Sequence, residues 1–372
     1  MKPLEIYVHI PFCVKKCNYC DFLSAPSTGA QRQKYVESLC GHIRSCGETA
    51  KAYRVVSIFI GGGTPSILEG EQIAAIFKAV RDTFYIEESA EITIEMNPGT
   101  VTADKLRAYR SFGINRLSIG LQSADDKELR ILGRLHTFED FLKTYRMARG
   151  EGFRNINIDL ISAVPGQTIE SFKRTLLRTV SLSPEHISAY SLIIEEGTPF
   201  FEIYGEGAHK EKICDAHGHP QLPDEDSERQ MYYDTKRILK EYGYHRYEIS
   251  NYAKDGYECR HNLGYWNRTE YLGFGDGAAS LFDHKRWVTG EKPKMLNREE
   301  EMEEYMFLGL RMINGVSKLR FKKEFGITME SIYKQVLADM ESKRLLEQDG
   351  DFVRLTERGL DVSNYVMSEF LL

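Results

Sequence analysis

The chain has 372 residues, of which 42% are hydrophobic and 28% are charged, an ordinary composition for a soluble globular protein. That length suffices for one large α/β domain and a smaller second domain. The formal net charge of −6 argues against nucleic acid as the main partner. No apolar run approaches the roughly 20 residues that a membrane helix requires. These properties predict a cytoplasmic protein, and peripheral contact with a membrane stays open.

Short apolar segments alternate with amphipathic stretches through the first half of the chain. The predicted strands span residues 6–10, 55–60, 91–95, 116–120, 155–161 and 186–192. The predicted helices between them span residues 31–46, 72–84, 103–112, 138–150 and 169–182. This alternation is typical of parallel strands joined by right-handed crossovers. Six repeats predict an α/β fold of the open, partial (β/α)6 barrel type, with functional residues at the carboxyl ends of the strands.

Three cysteines lie on the loop after the first predicted strand, with the C-x3-C-x2-C spacing of Cys13, Cys17 and Cys20. Structural zinc sites have four protein ligands, whereas three thiolates on a [4Fe–4S] cluster leave one iron open. An open iron is what the reductive cleavage of S-adenosylmethionine (SAM) requires, and the motif resembles that of radical SAM enzymes. The alternatives are a zinc site with His9 as fourth ligand, which the missing second cysteine pair disfavours, and three inert cysteines.

Glycine or polar residues also follow the later predicted strands. The triple glycine of residues 61–63 follows the second strand, and a backbone without side chains can approach the amino-acid end of SAM closely. The polar candidates for the ribose and methionine parts of SAM are Glu95, Gln122, Arg134 and Asp159. For each of them alone, a surface or capping role is the alternative.

A narrower resemblance is carried by the segments Y-V-H-I-P-F-C at residues 7–13 and C-D-F at residues 20–22. Together with residues 61–65, 120–122, 157–160 and 198–200, they are similar to the oxygen-independent coproporphyrinogen III oxidases and the related HemW-type heme chaperones. The resemblance covers nearly the whole chain. It implies cluster ligation by Cys13, Cys17 and Cys20. It also implies SAM contacts from Tyr7, Tyr19, Gly62, Gly63, Thr64, Glu95, Gln122, Arg134 and Asp159.

Two departures favour the chaperone branch of this family. Phe22 stands where the oxidase motif has a further cysteine, and only six residues precede Tyr7, too few for the oxidase N-terminal extension. The resemblance therefore implies a chaperone that binds heme, a [4Fe–4S] cluster and SAM, and delivers heme to apo-hemoproteins, with the membrane surface as one place of delivery. The alternative is an oxygen-independent coproporphyrinogen III oxidase, which removes two propionate carboxyls as CO2 by radical chemistry.

One further departure concerns both branches. The sequence S-A-V-P-G at residues 162–166 replaces the usual Tyr-Gly-Leu-Pro version, which leaves the shape of this loop open. Residues 205–229 are predicted to form a polar connector. That connector contains His209, Cys214, His217 and His219, and solvated side chains are favoured over a second metal or heme site there.

The segment C-R-H-N-L-G-Y-W at residues 259–266 contains an H-N-x-x-Y-W motif, which the resemblance associates with heme binding. His261 is the predicted axial ligand, with the aromatic faces of Tyr265 and Trp266 against the macrocycle. The alternative is a hydrogen-bonded core histidine, and Cys259 is a less favoured second ligand. Residues 271–279 are predicted to form a glycine-rich turn beside the SAM site.

The composition changes after about residue 298. Helices are predicted over 299–312, 317–325 and 329–345, followed by a hairpin with its turn at Asp349-Gly350 and a last helix over 356–370. This order resembles a winged helix, and mixed charges favour packing on the barrel over binding of nucleic acid. The predicted domains are residues 1–290, the barrel with the heme-motif extension, and residues 298–372, a winged-helix-like α+β domain.

Overall fold

The computed structural model describes residues 1–205 and 218–372. Six parallel strands pair in the order of the sequence, as the alternation predicts. They are β1 (Lys2–Ile10), β2 (Tyr53–Gly62), β3 (Ile86–Met96), β4 (Arg116–Gln122), β5 (Ile156–Ser162) and β6 (His186–Ser191). Because β1 and β6 each pair with a different additional strand, the barrel is open.

Helices follow the strands and cover the outside of the sheet. They are α1 (Gly29–Ser45), α2 (Gly47–Ala50), α3 (Gly70–Thr83), α4 (Ala103–Ser111), α5 (Asp126–Ile131), α6 (Phe138–Gly150), α7 (Ile169–Ser181) and α8 (Pro199–Tyr204). Threonine side chains cap the amino ends of several of them, and each accepts a hydrogen bond from a backbone N–H of the first turn. Such caps determine where a helix begins, because the first four N–H groups have no partner within the helix.

Successive residues of each strand point to opposite faces of the sheet. In β1, Leu4, Ile6, Val8 and Ile10 are buried in the apolar core beneath the helices. The intervening residues point into the barrel, where many side chains are polar, among them Glu5, Ser57, Glu91, Arg116 and Asp159. The interior of this barrel is therefore a polar space rather than a hydrocarbon core.

Additional strands extend both edges of the six-stranded sheet. The elements of this extension are α9 (Glu225–Glu241), β7 (His245–Arg246), β8 (Asn251–Ala253), α10 (Arg260–Trp266), β9 (Tyr271–Phe274), β10 (Ala279–Phe282), β11 (Lys285–Val288) and β12 (Lys294–Met295). β8 pairs with β6 and β9 pairs with β1. The predicted turn over 271–279 is thus wrong at its start, because Tyr271–Phe274 is a buried strand parallel to β1 and the turn begins at Gly275.

The C-terminal part has its own small sheet and its own apolar core. Its elements are α11 (Arg298–Gly309), β13 (Val316–Ser317), α12 (Lys318–Phe325), α13 (Met329–Ser342), β14 (Leu346–Asp349), β15 (Phe352–Leu355), α14 (Glu357–Asp361) and α15 (Ser363–Ser368). Two predictions need correction. The hairpin turn is Gly350-Asp351, one residue later than expected, and the last helix is interrupted at Val362, whose φ of −126° is not helical.

Ion pairs attach this C-terminal part to the barrel extension. The guanidinium of Arg268, which is 5% exposed, contacts Glu301, Glu304 and Glu324 at 3.1–3.4 Å.

The boundary between the two predicted domains, at residues 290–298, stays a prediction. Within the two described ranges, no helix is long and apolar enough to cross a membrane.

Candidate functional site

The cysteine loop leaves the carboxyl end of β1 and is held by backbone contacts from three directions. Cys13 N–H donates to Ala25 O at 3.1 Å, which closes the loop on itself. Asn18 N–H and its side-chain amide donate to the carbonyls of Leu132 and Ile131 at the end of α5, at 3.0 and 2.8 Å. Phe200 N–H of α8 donates to Asn18 O at 2.9 Å. The loop geometry is therefore set by backbone groups and not by a disulfide.

The three thiols lie together on this loop and are all partly exposed. Cys13 Sγ lies 3.4 Å from Thr64 Oγ1, and Arg134 Nη1 donates to Cys17 Sγ at 3.6 Å. Burial, with smaller contributions from neighbouring Cys17 and Cys13, raises the pKa of Cys20 to about 11. Metal binding displaces such a thiol proton. As a set of ligands, three thiols on one loop with a guanidinium nearby fit a [4Fe–4S] cluster that keeps one iron open.

The glycines after β2 pack directly against the cysteine loop. Gly62 has φ +109°, and a Cβ there would lie 2.5 Å from His9 Cε1. A Cβ on Gly63 would lie 2.6 Å from Phe12 O. Side chains are therefore excluded at both positions, as expected for backbone that must approach a cofactor. Gly62 N–H donates to Glu95 Oε2 at 3.0 Å, which links this backbone to β3.

A polar network joins the carboxyl ends of β2, β3 and β4. Asn97 Nδ2 donates to Thr64 Oγ1 at 2.8 Å, and Arg134 Nη2 donates to Asn97 Oδ1 at 2.6 Å and to Gly120 O at 2.9 Å. Gln122 adopts φ +70°, and its amide nitrogen would lie 2.9 Å from a Cβ on Gly120. The structure thus brings Thr64, Gln122 and Arg134 together. Asn97, which sequence reasoning missed, lies at the centre of this network.

Two carboxyl groups of the barrel interior face the same space. Burial and the charge of Asp159 raise the pKa of Glu95 to about 8. Burial also raises the pKa of Asp159, although it accepts hydrogen bonds from Ser118 Oγ at 3.0 Å and Asn157 Nδ2 at 2.8 Å. Ligand hydroxyl or ammonium groups would supply hydrogen-bond donors there. The residues present therefore fit SAM.

Sequence reasoning also missed the interior residues Arg116, Ser118 and Asn157. All three are buried, and Arg116 is 2% exposed. The sequence did contain a pattern that could have identified these residues, because polar residues recur at every second position of strands that are otherwise apolar. In a barrel, that period of two selects the inward face.

Tyr7 and Tyr19 support the loop from different sides. Tyr7 Oη lies 3.0 Å from His9 Nδ1, and His9 Nε2 lies 2.9 Å from Leu23 O. Both ring nitrogens of His9 are thus engaged, and the alternative of a zinc site with His9 has no support. Tyr19 packs against the apolar cluster that contains Leu132 and Phe200.

The predicted heme motif lies far from the cysteine loop, toward the amino ends of the strands. His261 of α10 is 2% exposed, and its Nδ1 lies 2.8 Å from Ser57 Oγ. Ser57 precedes Gly62 by five residues, about 16 Å along β2. The ring stacks on Phe59 at a centroid distance of 5.2 Å. Burial, and then the charge of Arg116, lowers the pKa of His261 to about 3.

The aromatic residues of the motif, Tyr265 and Trp266, also make close contacts. The Tyr265 ring contacts the rings of His261 and Tyr271 at 4.7 and 4.5 Å. The Arg311 guanidinium lies 4.4 Å from the Trp266 ring centroid. A Cβ on Gly264 would lie 2.0 Å from Glu5 Oε1, which shows how closely α10 packs on β1.

Heme does not fit at His261 in this conformation. The His261 Nε2 atom is buried and has no hydrogen-bond partner among the described residues, and the rings of Phe59 and Tyr265 pack against the imidazole. Cys259, the less favoured ligand, is also buried, with its Sγ 3.4 Å from Glu91 Oε1. Ligation by His261 stays a prediction that requires α10 to move. Of the connector candidates, His209, Cys214 and His217 lie outside the described residues, and His219 is exposed.

Comparisons with known proteins show what this chain is similar to. Residues 7–178 match the Radical SAM superfamily, and residues 296–362 match the HemN C-terminal domain. The heme chaperone HemW of Lactococcus lactis is 33% identical, with 100% of this chain and 98% of that protein covered. HemW of Bacillus subtilis is 34% identical, with 98% of each covered. HemW of Escherichia coli is 33% identical, with 100% of this chain and 99% of that protein covered.

A solved structure shares the whole fold. Coproporphyrinogen III oxidase (HemN) from Escherichia coli, a radical SAM enzyme, superposes with a TM-score of 0.85 over 100% of this chain and 90% of its own. The sequence identity is 24%, so this likeness describes the fold alone. The predicted α/β radical SAM barrel is thereby confirmed.

Proposed function

Because the chain belongs to the HemW family of radical SAM proteins, we propose that it is a heme chaperone that binds heme and transfers it to apo-hemoproteins. The observation that carries the proposal is full-length similarity to several HemW proteins at 33–34% identity. Recipient hemoproteins, including recipients at a membrane surface, are part of the proposal.

The residues at the carboxyl ends of the strands support a retained cluster and SAM. Cys13, Cys17 and Cys20 would hold the cluster, and the Arg134 guanidinium beside Cys17 balances its negative charge. A bound cluster and SAM supply one-electron chemistry. The chain itself contributes the close backbone approach at Gly62 and Gly63, and the carboxyl of Glu95, whose pKa is raised.

Phe22 supports the chaperone over the oxidase alternative. It stands where the oxidase motif has a further cysteine, and its side chain is 61% exposed on the cysteine loop. An apolar side chain there cannot provide the thiol that the oxidase motif carries.

Heme transfer is the direct test. The full chain, with its cluster reconstituted anaerobically, is loaded with heme and mixed with apomyoglobin, and the absorption of the newly formed holoprotein is followed. We expect complete transfer at stoichiometric acceptor. A protein that binds no heme, or binds it without transfer, would contradict the proposal.

A second assay addresses the oxidase alternative. The same protein is incubated with SAM, a reductant and coproporphyrinogen III, and the porphyrins are separated by chromatography. We expect no decarboxylated product. Product in excess over protein would make this chain an oxidase.

A further inference from the structure

We propose that Glu91 on β3 holds α10 closed against the barrel, and that release of this contact gives heme access to His261. The inference rests on the proposed function and adds to it the residue that regulates access to the heme motif. His261 is 2% exposed, and its Nε2 atom is buried without a hydrogen-bond partner among the described residues. A buried ring nitrogen without a partner costs free energy. The same nitrogen is unused by the closed structure and can bind iron once it is reached.

The carboxyl group of Glu91 supplies the amino-terminal cap that α10 lacks in its own sequence. Cys259 directly precedes the helix, and its side chain accepts no hydrogen bond from the first turn. Instead, the backbone N–H groups of Arg260 and His261 donate to Glu91 Oε2 and Oε1, each at 3.2 Å. Because the first N–H groups of a helix have no partner within it, an acceptor from outside stabilises the first turn.

Two more contacts attach the start of α10 to the same strand. Cys259 Sγ lies 3.4 Å from Glu91 Oε1, and Arg260 Nη1 donates to Ser89 O at 2.9 Å. Glu91 is 7% exposed, so water competes little for its hydrogen bonds. α10 has seven residues, and a helix of that length has little stability of its own in water. Its closed position therefore depends on bonds to the neighbouring strands.

Ser57 holds the imidazole of His261 beside the same place. Its Oγ lies 2.8 Å from His261 Nδ1. Ser57 on β2 and Glu91 on β3 are direct partners in the pairing of the two strands. One of them thus binds the histidine ring, and the other binds the backbone and thiol at the start of its helix. We call this pair the Glu91–Ser57 latch.

The latch lowers the apparent affinity for heme. When a ligand binds only the open form of a site, the apparent dissociation constant is the intrinsic one divided by the open fraction. Loss of the hydrogen bonds to α10 raises that fraction. Removal of the latch therefore strengthens heme binding, whereas removal of an iron ligand weakens it. The sign of the change separates the two roles.

The test is titration of the full, cluster-reconstituted chain with ferric heme, combined with hydrogen exchange of its backbone amides without heme. For Glu91→Ala we expect heme binding to be about ten- to a hundredfold tighter, and exchange at the amides of Arg260 and His261 to be faster. Ser57→Ala removes one hydrogen bond and should tighten heme binding roughly three- to tenfold.

Control variants separate the latch from general effects of substitution. Glu88→Ala, at an exposed position of the same strand, and Ser111→Ala, exposed at the end of α4, should change neither heme affinity nor exchange. The double variant Glu91→Ala/His261→Ala should lose the absorption spectrum of histidine-ligated heme, because the gain in affinity acts through His261.

Each outcome decides one question. Heme binding that is unchanged or weaker in both Glu91→Ala and Ser57→Ala would overturn the latch and leave the proposed function standing. Absence of heme binding in the unmodified chain would contradict the proposed function, and amide exchange would still show whether Glu91 holds α10. Iron content and thermal unfolding show whether each variant has folded, and Ser57→Ala decides if Glu91→Ala has not. Unchanged exchange at the start of α10 would also overturn the latch.

Discussion

Ser57 on β2 and His261 on α10 are joined by a hydrogen bond of 2.8 Å between Oγ and Nδ1 inside the barrel. Glu5 lies beside this pair, with its Oε2 3.9 Å from the same nitrogen. Burial raises the pKa of Glu5 well above 4.5 and lowers that of His261 to about 3. Both shifts favour the uncharged form of the group concerned, and α10 closes the barrel over this pair.

Glu5→Gln is expected to stabilise the protein increasingly as the pH rises. The folded pKa of Glu5 lies above its unfolded value of 4.5, so its stabilising contribution is complete below that value and is lost at higher pH. Removing the carboxyl should therefore leave stability near pH 4.5 unchanged. Above it, the gain should grow by up to about 1.4 kcal/mol per pH unit. Urea unfolding at several pH values measures this, with exposed Glu196→Gln as control. A gain independent of pH would argue against a buried, protonated Glu5.

Replacing a cluster cysteine is expected to remove iron and sulfide. Cys13→Ser, Cys17→Ser and Cys20→Ser each take one thiolate from the proposed cluster, and the remaining two cannot hold it stably. Cys46→Ser is the matched control, because this partly exposed thiol lies at the end of α1. Iron and sulfide are measured after anaerobic reconstitution. Equal metal content in all four variants would refute the cluster assignment.

Gly63→Ala is expected to displace the cysteine loop. The new methyl group would lie 2.6 Å from Phe12 O, so the backbone has to move, and SAM affinity should fall roughly tenfold or more. Gly41→Ala is the control, since its Cβ meets nothing within 4 Å. Equilibrium binding of SAM to the reconstituted protein measures the effect. Full affinity in Gly63→Ala would show that this backbone does not contact SAM.

Ala163→Gly is expected to stabilise the chain. Ala163 has φ +59°, at the position where the usual family sequence has glycine. An alanine in the left-handed region costs the folded state roughly 1–2 kcal/mol, which glycine removes. Glycine also makes the unfolded chain more flexible, which lowers stability by roughly 0.5–1 kcal/mol, so the removed strain is the larger effect. The net gain is about 0.5–1 kcal/mol. Ala108→Gly within α4 should instead lose about 0.5–1 kcal/mol. Chemical denaturation compares the two variants, and destabilisation by Ala163→Gly would contradict this prediction.

Much of the fold could be predicted because its signals are local. The strand–helix alternation identified the six parallel strands of the barrel, although not the additional parallel strand β9, and the three-cysteine spacing indicated the proposed cluster loop. Local sequence patterns predicted the ends of helices and strands less accurately than their presence. The hairpin turn lies one residue later than expected, and Val362 divides the last helix, because pairing and packing decide such boundaries within one or two residues.

The sequence by itself determined the family, the order of the barrel strands and several of the side chains that lie at their carboxyl ends. Only the tertiary structure decided which polar residues face inward together, such as Asn97 with Arg134, and that Tyr271–Phe274 is a strand against β1. It also decided that His261 is enclosed, and that α9 and Arg358, more than a hundred positions apart, line one cleft. Burial and proximity between distant segments follow from packing of the whole chain, and no local pattern of residue types contains them.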